Sequence, residues 1–248
     1  MAGKYGSASV FFLVDGYNLI TTKLKGLSYK ITALHEETTG LGDAVKNSEP
    51  TGLTEVELKQ DQGFFDTTTN GGHAALKAPV SDPQAAQRVI CAGFAGHTSG
   101  EQFVGFQGSY QQEYEVLGEV GNLTKANAAY QVSGTAEHGE IVQPLATKTA
   151  DWNTKTLSTQ VDSLASSANG AAGYQQVTAL SGFSGFIGKI RDSSDDITYA
   201  DLITFADVTA APNAQRVTAA GTVDRYLSYD GDVTGSGSIT VFSGLSRL

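Results

Sequence analysis

Residues that could do chemistry are thinly spread along this chain. Gly182-Phe183-Ser184-Gly185-Phe186 stops one residue short of the Gly-x-Ser-x-Gly nucleophile elbow, because Phe occupies position 186. No helix pattern follows Ser184, so the stretch reads as a Gly-rich strand pair with Phe183 and Phe186 packed inward. The four histidines, His35, His73, His97 and His138, stand far apart beside turn-like residues, and neither His-x-x-x-His nor a Cys–His spacing occurs. Asp230-Gly231-Asp232-Val233-Thr234-Gly235 opens like an EF-hand loop, but Val241 stands where the bidentate Glu belongs. It reads instead as a hairpin turn. Asp192-Ser193-Ser194-Asp195-Asp196 is a compact acidic loop able in principle to hold Ca²⁺, with solvation as the simpler role. No Gly-rich phosphate loop precedes a helix, and no acid pair stands out for glycoside hydrolysis. The expectation is a protein that is not an enzyme and needs no cofactor or metal.

The elements that would position such residues are strands. The 248 residues are 40% hydrophobic and 17% charged, which excludes a disordered acidic tail. No apolar run approaches the ~20 residues of a membrane span, and no signal-peptide core follows Met1, so synthesis and folding in a cytoplasm are expected. One cysteine, Cys91, excludes an intrachain disulfide framework. Its setting, Arg88-Val89-Ile90-Cys91-Ala92, is that of a buried strand. The net charge of −10, with scattered basic residues, argues against a grip on nucleic acid.

Strands are expected near 7–14, 27–35, 53–60, 87–95, 101–107, 112–120, 127–135 and 139–145, then near 156–163, 173–181, 184–191, 199–206, 214–219, 222–229 and 237–243. A short helix is expected over 70–77, stopped by Pro79 and Pro83. Asn169-Gly170 and Asp230-Gly231 are hairpin-turn dipeptides. Many short strands spaced by Gly turns point to an all-β sandwich or barrel. Composition shifts near residue 150: the last Glu is Glu140, and Arg outnumbers Lys afterwards. Two β modules, 1–148 and 149–248, are therefore expected.

One segment departs from this style. Between the alternating stretches 27–34 and 54–60 lie His35 to Pro50, polar and without periodicity. Most hairpin connections take roughly 2–5 residues, and far longer ones are usually functional or disordered. This one carries both charge signs, which suits a projecting loop that docks on a neighbouring molecule.

The chain resembles the major tail (tail tube) proteins of long-tailed, siphovirus-like bacteriophages. The resemblance is carried by Glu36-Glu37-Thr38-Thr39-Gly40-Leu41-Gly42-Asp43 with Pro50-Thr51-Gly52-Leu53-Thr54-Glu55-Val56-Glu57-Leu58, and by Gly63-Phe64-Phe65-Asp66. Gly105-Phe106-Gln107-Gly108, Leu123-Thr124-Lys125-Ala126-Asn127-Ala128-Ala129-Tyr130 and the stretches 187–191 and 239–242 extend it. It implies a tail-tube-type β-sandwich with one short helix in 1–148. The second β-sandwich would be an outer decoration domain or a second tube module. It implies self-assembly into hexameric rings, or trimeric pseudo-hexamers, stacked into a tube in the virion tail. The partners implied are the tape-measure, tail-terminator and distal tail proteins, with DNA as a passenger that does not stick. In this setting Glu36, Glu37, Thr38, Thr39, Leu41, Asp43, Lys46 and Glu49 of the loop are the expected contacts between rings. Glu55, Glu57, Glu113 and Glu115, paired on alternating strands, are the expected lumen acids, because a negative wall repels phosphates. The alternative is a phage surface or adhesion protein whose second half binds carbohydrate, with Tyr199, Tyr226 and Tyr229 as stacking rings.

Overall fold

A computed structural model describes residues 10–41, 44–68, 71–81 and 87–248. The fold is all-β with one short α-helix, as the patterning implies. In chain order the elements are β1 (Phe11–Val14), β2 (Tyr17–Asn18), β3 (Gly26–Glu37), β4 (Ser48–Phe64) and α1 (Gly72–Ser81). Next come β5 (Arg88–Gly93), β6 (Gln102–Leu117), β7 (Lys125–Val132) and β8 (Ala136–Lys148). Then follow β9 (Trp152–Asn153), β10 (Val161–Asp162), β11 (Ala171–Ser193), β12 (Ala200–Thr204), β13 (Asn213–Ala219) and β14 (Tyr226–Arg247). All strand pairs are antiparallel and belong to one hydrogen-bonded network.

Several elements differ from the sequence expectation. The strands expected at 101–107 and 112–120 are one strand, β6. Those at 173–181 and 184–191 fuse into β11, and the pair ending at 243 fuses into β14, which begins only at Tyr226. The fusion tolerates glycine because β-bulges absorb it: the β11–β14 register shifts after Val177, Ser181 and Phe183. Little of 156–163 is strand, only Val161–Asp162. Residues 7–9 of the first expected strand lie outside the described residues.

Asp230-Gly231 is not a turn. It lies inside β14, and a Cβ at Gly231 would meet the Trp152 ring at 2.5 Å. Glycine is there so that an indole can approach the backbone, not to reverse the chain. Asn169-Gly170 does turn, with Gly170 at φ +87°, but it leads from the Ser167–Val223 bridge into β11 and joins no hairpin.

The helix runs past its expected stop, through Pro79 to Ser81. A proline at 79 cannot donate to the carbonyl of Ala75. Arg88 Nη2 donates to that oxygen instead, at 2.7 Å, and Gln111 Nε2 donates to the Leu76 carbonyl at 2.7 Å. Side chains from β5 and β6 thus satisfy the helix backbone.

Three apolar clusters form the core. One contains Phe12, Val56, Leu58, Leu76, Phe106 and Tyr130, all from before residue 137. Another contains Trp152, Val177, Phe186, Ile203, Phe205 and Val241, drawn almost wholly from after residue 149; there Trp152 stacks on Phe186 with centroids 5.6 Å apart. The third mixes both halves: Phe11, Leu13, Cys91, Phe103 and Ile141 meet Ala172, Tyr174 and Phe242. Cys91 is a core residue, as its setting implies, and burial pushes its thiol far up.

Polar contacts reinforce this seam. Gln176 Oε1 accepts from the Gly16 N–H at 2.6 Å, and its Nε2 donates to the Val89 carbonyl at 2.9 Å. Glu137 on β8, buried, is gripped by the Arg216 guanidinium through both oxygens and accepts a hydrogen bond from the Tyr174 hydroxyl. β8 itself pairs with β6 on one side and β14 on the other.

Candidate assembly interface

The segment 35–50 is not a structureless loop. β3 and β4 stay paired through it, with His35 opposite Pro50, Glu36 opposite Glu49 and Glu37 opposite Ser48. The lack of periodicity has a physical cause: this ribbon has no core on either face, so neither face selects apolar side chains. Its tip is closed by the Thr38 N–H on the Asn47 carbonyl at 3.0 Å and by the Asn47 N–H on Thr39 Oγ1 at 2.9 Å. Lys46 pairs with Glu37 across it at 3.0 Å. The ladder shifts register between Ala33 and His35, where Thr51 Oγ1 donates to the Leu34 carbonyl at 3.0 Å.

β4 pairs with β7 only from Val56 onward. Residues 48–55 therefore have β3 alone as neighbour, and at ~3.3 Å per residue the ribbon projects roughly 25 Å beyond the sheet. Isolated two-stranded ribbons are marginal in water. This one also shows Leu41, Val45 and Leu53 to solvent, each at least 64% exposed. Of the expected contact residues, Glu36, Glu37, Thr38, Thr39, Leu41, Lys46 and Glu49 all lie on this exposed ribbon or its tip; Asp43 falls outside the described residues.

Below the ribbon, β3-β4-β7-β6 form a four-stranded sheet. One face is core, with Val56, Leu58, Ala128 and Tyr130 buried. Register fixes what lies on the other, because directly opposed residues share a face and successive ones alternate. Glu57 lies opposite Lys30 and Gln131, Glu113 opposite Ala129, and Glu115 opposite Asn127; Glu55 is two residues from Glu57. The four acids named from sequence thus share one outward face. A bulge between Gln111 and Glu113 places Gln111 in the core while Glu113 and Glu115 point outward. Asn127 Nδ2 donates to Glu115 at 2.9 Å, and Lys59 approaches Glu57 at 3.6 Å. The face is mixed in sign, since Lys30, Lys59 and Lys125 share it.

Among the described residues both lateral edges of this sheet are open over part of their length. Among the described residues β3 has no strand beyond it, and β6 from Tyr110 to Leu117 pairs with β7 alone. Open edges and projecting apolar groups are features that sequence reasoning missed. The alternation of 27–34 reveals a strand but not whether it has a second neighbour.

The other sequence candidates are occupied by structural work. Ser184 Oγ donates to the Thr234 carbonyl at 3.2 Å. Asp195 accepts from the Ile197 and Thr198 N–H groups, and these bonds hold its carboxyl below the usual range. Asp196 pairs with Lys155 at 2.8 Å and accepts from the Tyr199 hydroxyl at 2.6 Å. Tyr229, offered as a sugar-stacking ring, is wholly buried, its hydroxyl on Gln175 Oε1 at 2.7 Å. Tyr226 lies beneath the Arg225 guanidinium, 4.9 Å from its ring centroid. No group of three or more metal-ligating side chains occurs among the described residues.

No family model and no curated protein sequence matches this chain. Among solved structures it is similar to a chain of the native gene transfer agent virion, at 12% identity and a TM-score of 0.38, over 54% of this chain and 97% of that one. A chain from the tail of the empty gene transfer agent particle, refined with C6 symmetry, gives the same values. The Dit protein of phage SPP1, described as a paradigm of the hub adsorption apparatus, aligns over 96% of this chain and 99% of its own, at 12% identity and a TM-score of 0.31. Likeness this distant fixes neither family nor function, and the functional reading rests on the geometry of the sheet and its ribbon.

Proposed function

We propose that this chain is a structural, non-enzymatic subunit of a phage tail tube. It closes into rings that stack in the virion tail around the tape-measure protein and later conduct DNA, capped by terminator and distal tail proteins. The observation that carries this reading is the four-stranded sheet with two different open edges and a polar outer face. A pair of dissimilar edges associates heterologously, and such contacts close into rings when the rotation permits. Six copies would supply 24 strands. At ~4.8 Å per strand and a tilt of ~35–45° these enclose a wall on the order of 40–50 Å across, room for a nucleic-acid duplex.

The polar face would line the channel, with Glu55, Glu57, Glu113 and Glu115 beside Lys30, Lys59 and Lys125. That wall mixes signs with acids in excess, so it repels phosphate without the counterion release that makes basic surfaces hold DNA. The ribbon reaches the adjacent ring. The half from 149 to 248 is a second β module fixed to the first by the shared seam, as an outer domain or a further part of the wall. Synthesis takes place in the host cytoplasm.

Electron microscopy of the purified protein tests the assembly: tubes or rings support it, and monodisperse monomers at high concentration refute it. Deleting Thr39 to Ser48 should leave a folded subunit that forms no tubes. Replacing Glu113 and Glu115 by Lys should leave tubes intact and impair DNA delivery; unchanged infectivity would remove the lumen assignment.

A further inference from the structure

The ribbon needs an acceptor, and the structure offers one at the opposite end of the same strand. Glu36 and Glu49 face each other directly in the β3–β4 register. Like charges in that position destabilise a ribbon. The one described lysine nearby, Lys46, is engaged with Glu37. Among the described residues neither Glu36 nor Glu49 forms an ion pair, and both stand beside exposed Leu41, Val45 and Leu53. At the start of β3 lies a cleft of about 340 Å³ lined by Val10, Ile20, Leu24 and Leu27, with Lys23 and Lys25 at its rim. Both lysines are exposed, and neither forms an ion pair among the described residues. Cleft and tip lie at opposite ends of a twelve-residue strand, ~40 Å apart at ~3.3 Å per residue. One copy cannot join its own two ends.

We propose that the Val10/Ile20/Leu24/Leu27 cleft, through Lys23 and Lys25, receives the ribbon tip of a second copy. Its apolar floor covers the leucines and valine, and its two ammonium groups neutralise Glu36 and Glu49. The contact is head-to-tail and repeats without closing, which is the geometry of a stack. It rests on the reading of the ribbon as the contact between rings and names the surface that the ribbon meets.

The test is a charge exchange between two variants. Glu36→Lys/Glu49→Lys presents a basic tip to a basic cleft; Lys23→Glu/Lys25→Glu presents an acidic tip to an acidic cleft. All four positions are exposed, and each variant should keep the urea midpoint of the unassembled wild-type subunit, measured at a concentration below assembly. Each alone should lose tube formation at least tenfold, and an equimolar mixture should regain it as alternating rings. If the lysine variant alone builds tubes like wild type, the acceptor assignment is overturned, while loss of tubes on deleting the tip would leave the ribbon reading standing. Failure of the mixture overturns the pairing as well. Independently, Glu49→Cys combined with Lys25→Cys should give a disulfide-linked ladder when assembled protein is oxidised, since native Cys91 is buried and does not compete. Linked species no larger than in the single-cysteine variants would refute the contact.

Discussion

Removing the Arg216 side chain should cost more than any other single truncation of a charged residue described above. Glu137 is 3% exposed in its side chain and Arg216 20%. Arg216 Nε donates to Glu137 Oε2 at 3.0 Å and its Nη2 to Oε1, so the pair is bidentate. Among the described residues, Arg216→Met leaves the buried carboxylate with only the Tyr174 hydroxyl as donor. Breaking a buried pair in this way costs ~3–5 kcal/mol. With a urea m-value of ~3 kcal/mol/M, at the upper end expected for a chain this long, the midpoint should fall by roughly 1–1.7 M. Tyr174→Phe, which removes one donor, should cost ~1–3 kcal/mol. Glu137→Gln combined with Arg216→Met should recover most of the loss, giving a coupling energy of ~2–3 kcal/mol in the double-mutant cycle. The measurement belongs in the variant lacking Thr39–Ser48, so that assembly adds no stability by mass action. Circular dichroism follows both halves, and the single tryptophan, Trp152, follows the second core. A midpoint shift below 0.3 M, or about 1 kcal/mol at that slope, would refute the claim that this cluster fastens the two halves together.

Three further outcomes are expected. Hydrogen bonds from Arg225, then from the Leu164 N–H, depress the Asp162 carboxyl from 3.8 to about 2. A lowered folded value means that its contribution is complete above the ordinary carboxylate range and vanishes as pH falls from there through about 2; carboxyl NMR should show this, with Arg225→Ala moving the titration upward toward the ordinary range, and an Asp162 that already titrates normally refutes it. A Cβ at Gly188 would fall 2.0 Å from both Gln175 Oε1 and the Tyr229 hydroxyl, so Gly188→Ala should cost ~1–3 kcal/mol by overpacking, and an unchanged urea midpoint would contradict the close approach. Limited proteolysis should nick the exposed turn around Leu157 and Ser158, yet the fragments should stay together on a native gel because β8 remains paired with β14; separation would show two independent modules.

What could be read from sequence depended on whether a residue's partner was local. β7 shows strict alternation because one face meets a core and the other does not, and its position was legible to within two or three residues. The common face of Glu55 and Glu57 followed from period two alone. That Glu113 and Glu115 join them depended on a bulge at Gln112 and on β7 lying between the two strands, which no local pattern encodes. The ribbon was misread as a loop because periodicity reports burial, and a strand pair with both faces in water has none. Pro79 was misread as a helix stop because Arg88, nine residues away, supplies the missing donor. Glu137 carries no local sign of its role, because its partners lie 37 and 79 residues downstream.

The pairing of β14 sets a timetable for synthesis. β1 to β7 find all their strand partners within residues 11–132, apart from the contact of β6 with β8, so the first sheet can form early on the ribosome. β8 then waits for β14, whose last residue is Arg247, 99 residues beyond Lys148. At ~5–20 residues per second that wait is on the order of 5–20 seconds. During it the backbone of β8 is a bare margin, and the ribbon of the same nascent molecule already protrudes. Chains on one polysome face each other in this half-finished condition. Competition between wrong early contacts and late arrival of β14 would make yield depend on translation speed, so slowing the codons of 149–225 should lower the amount of assembled product without changing a single amino acid.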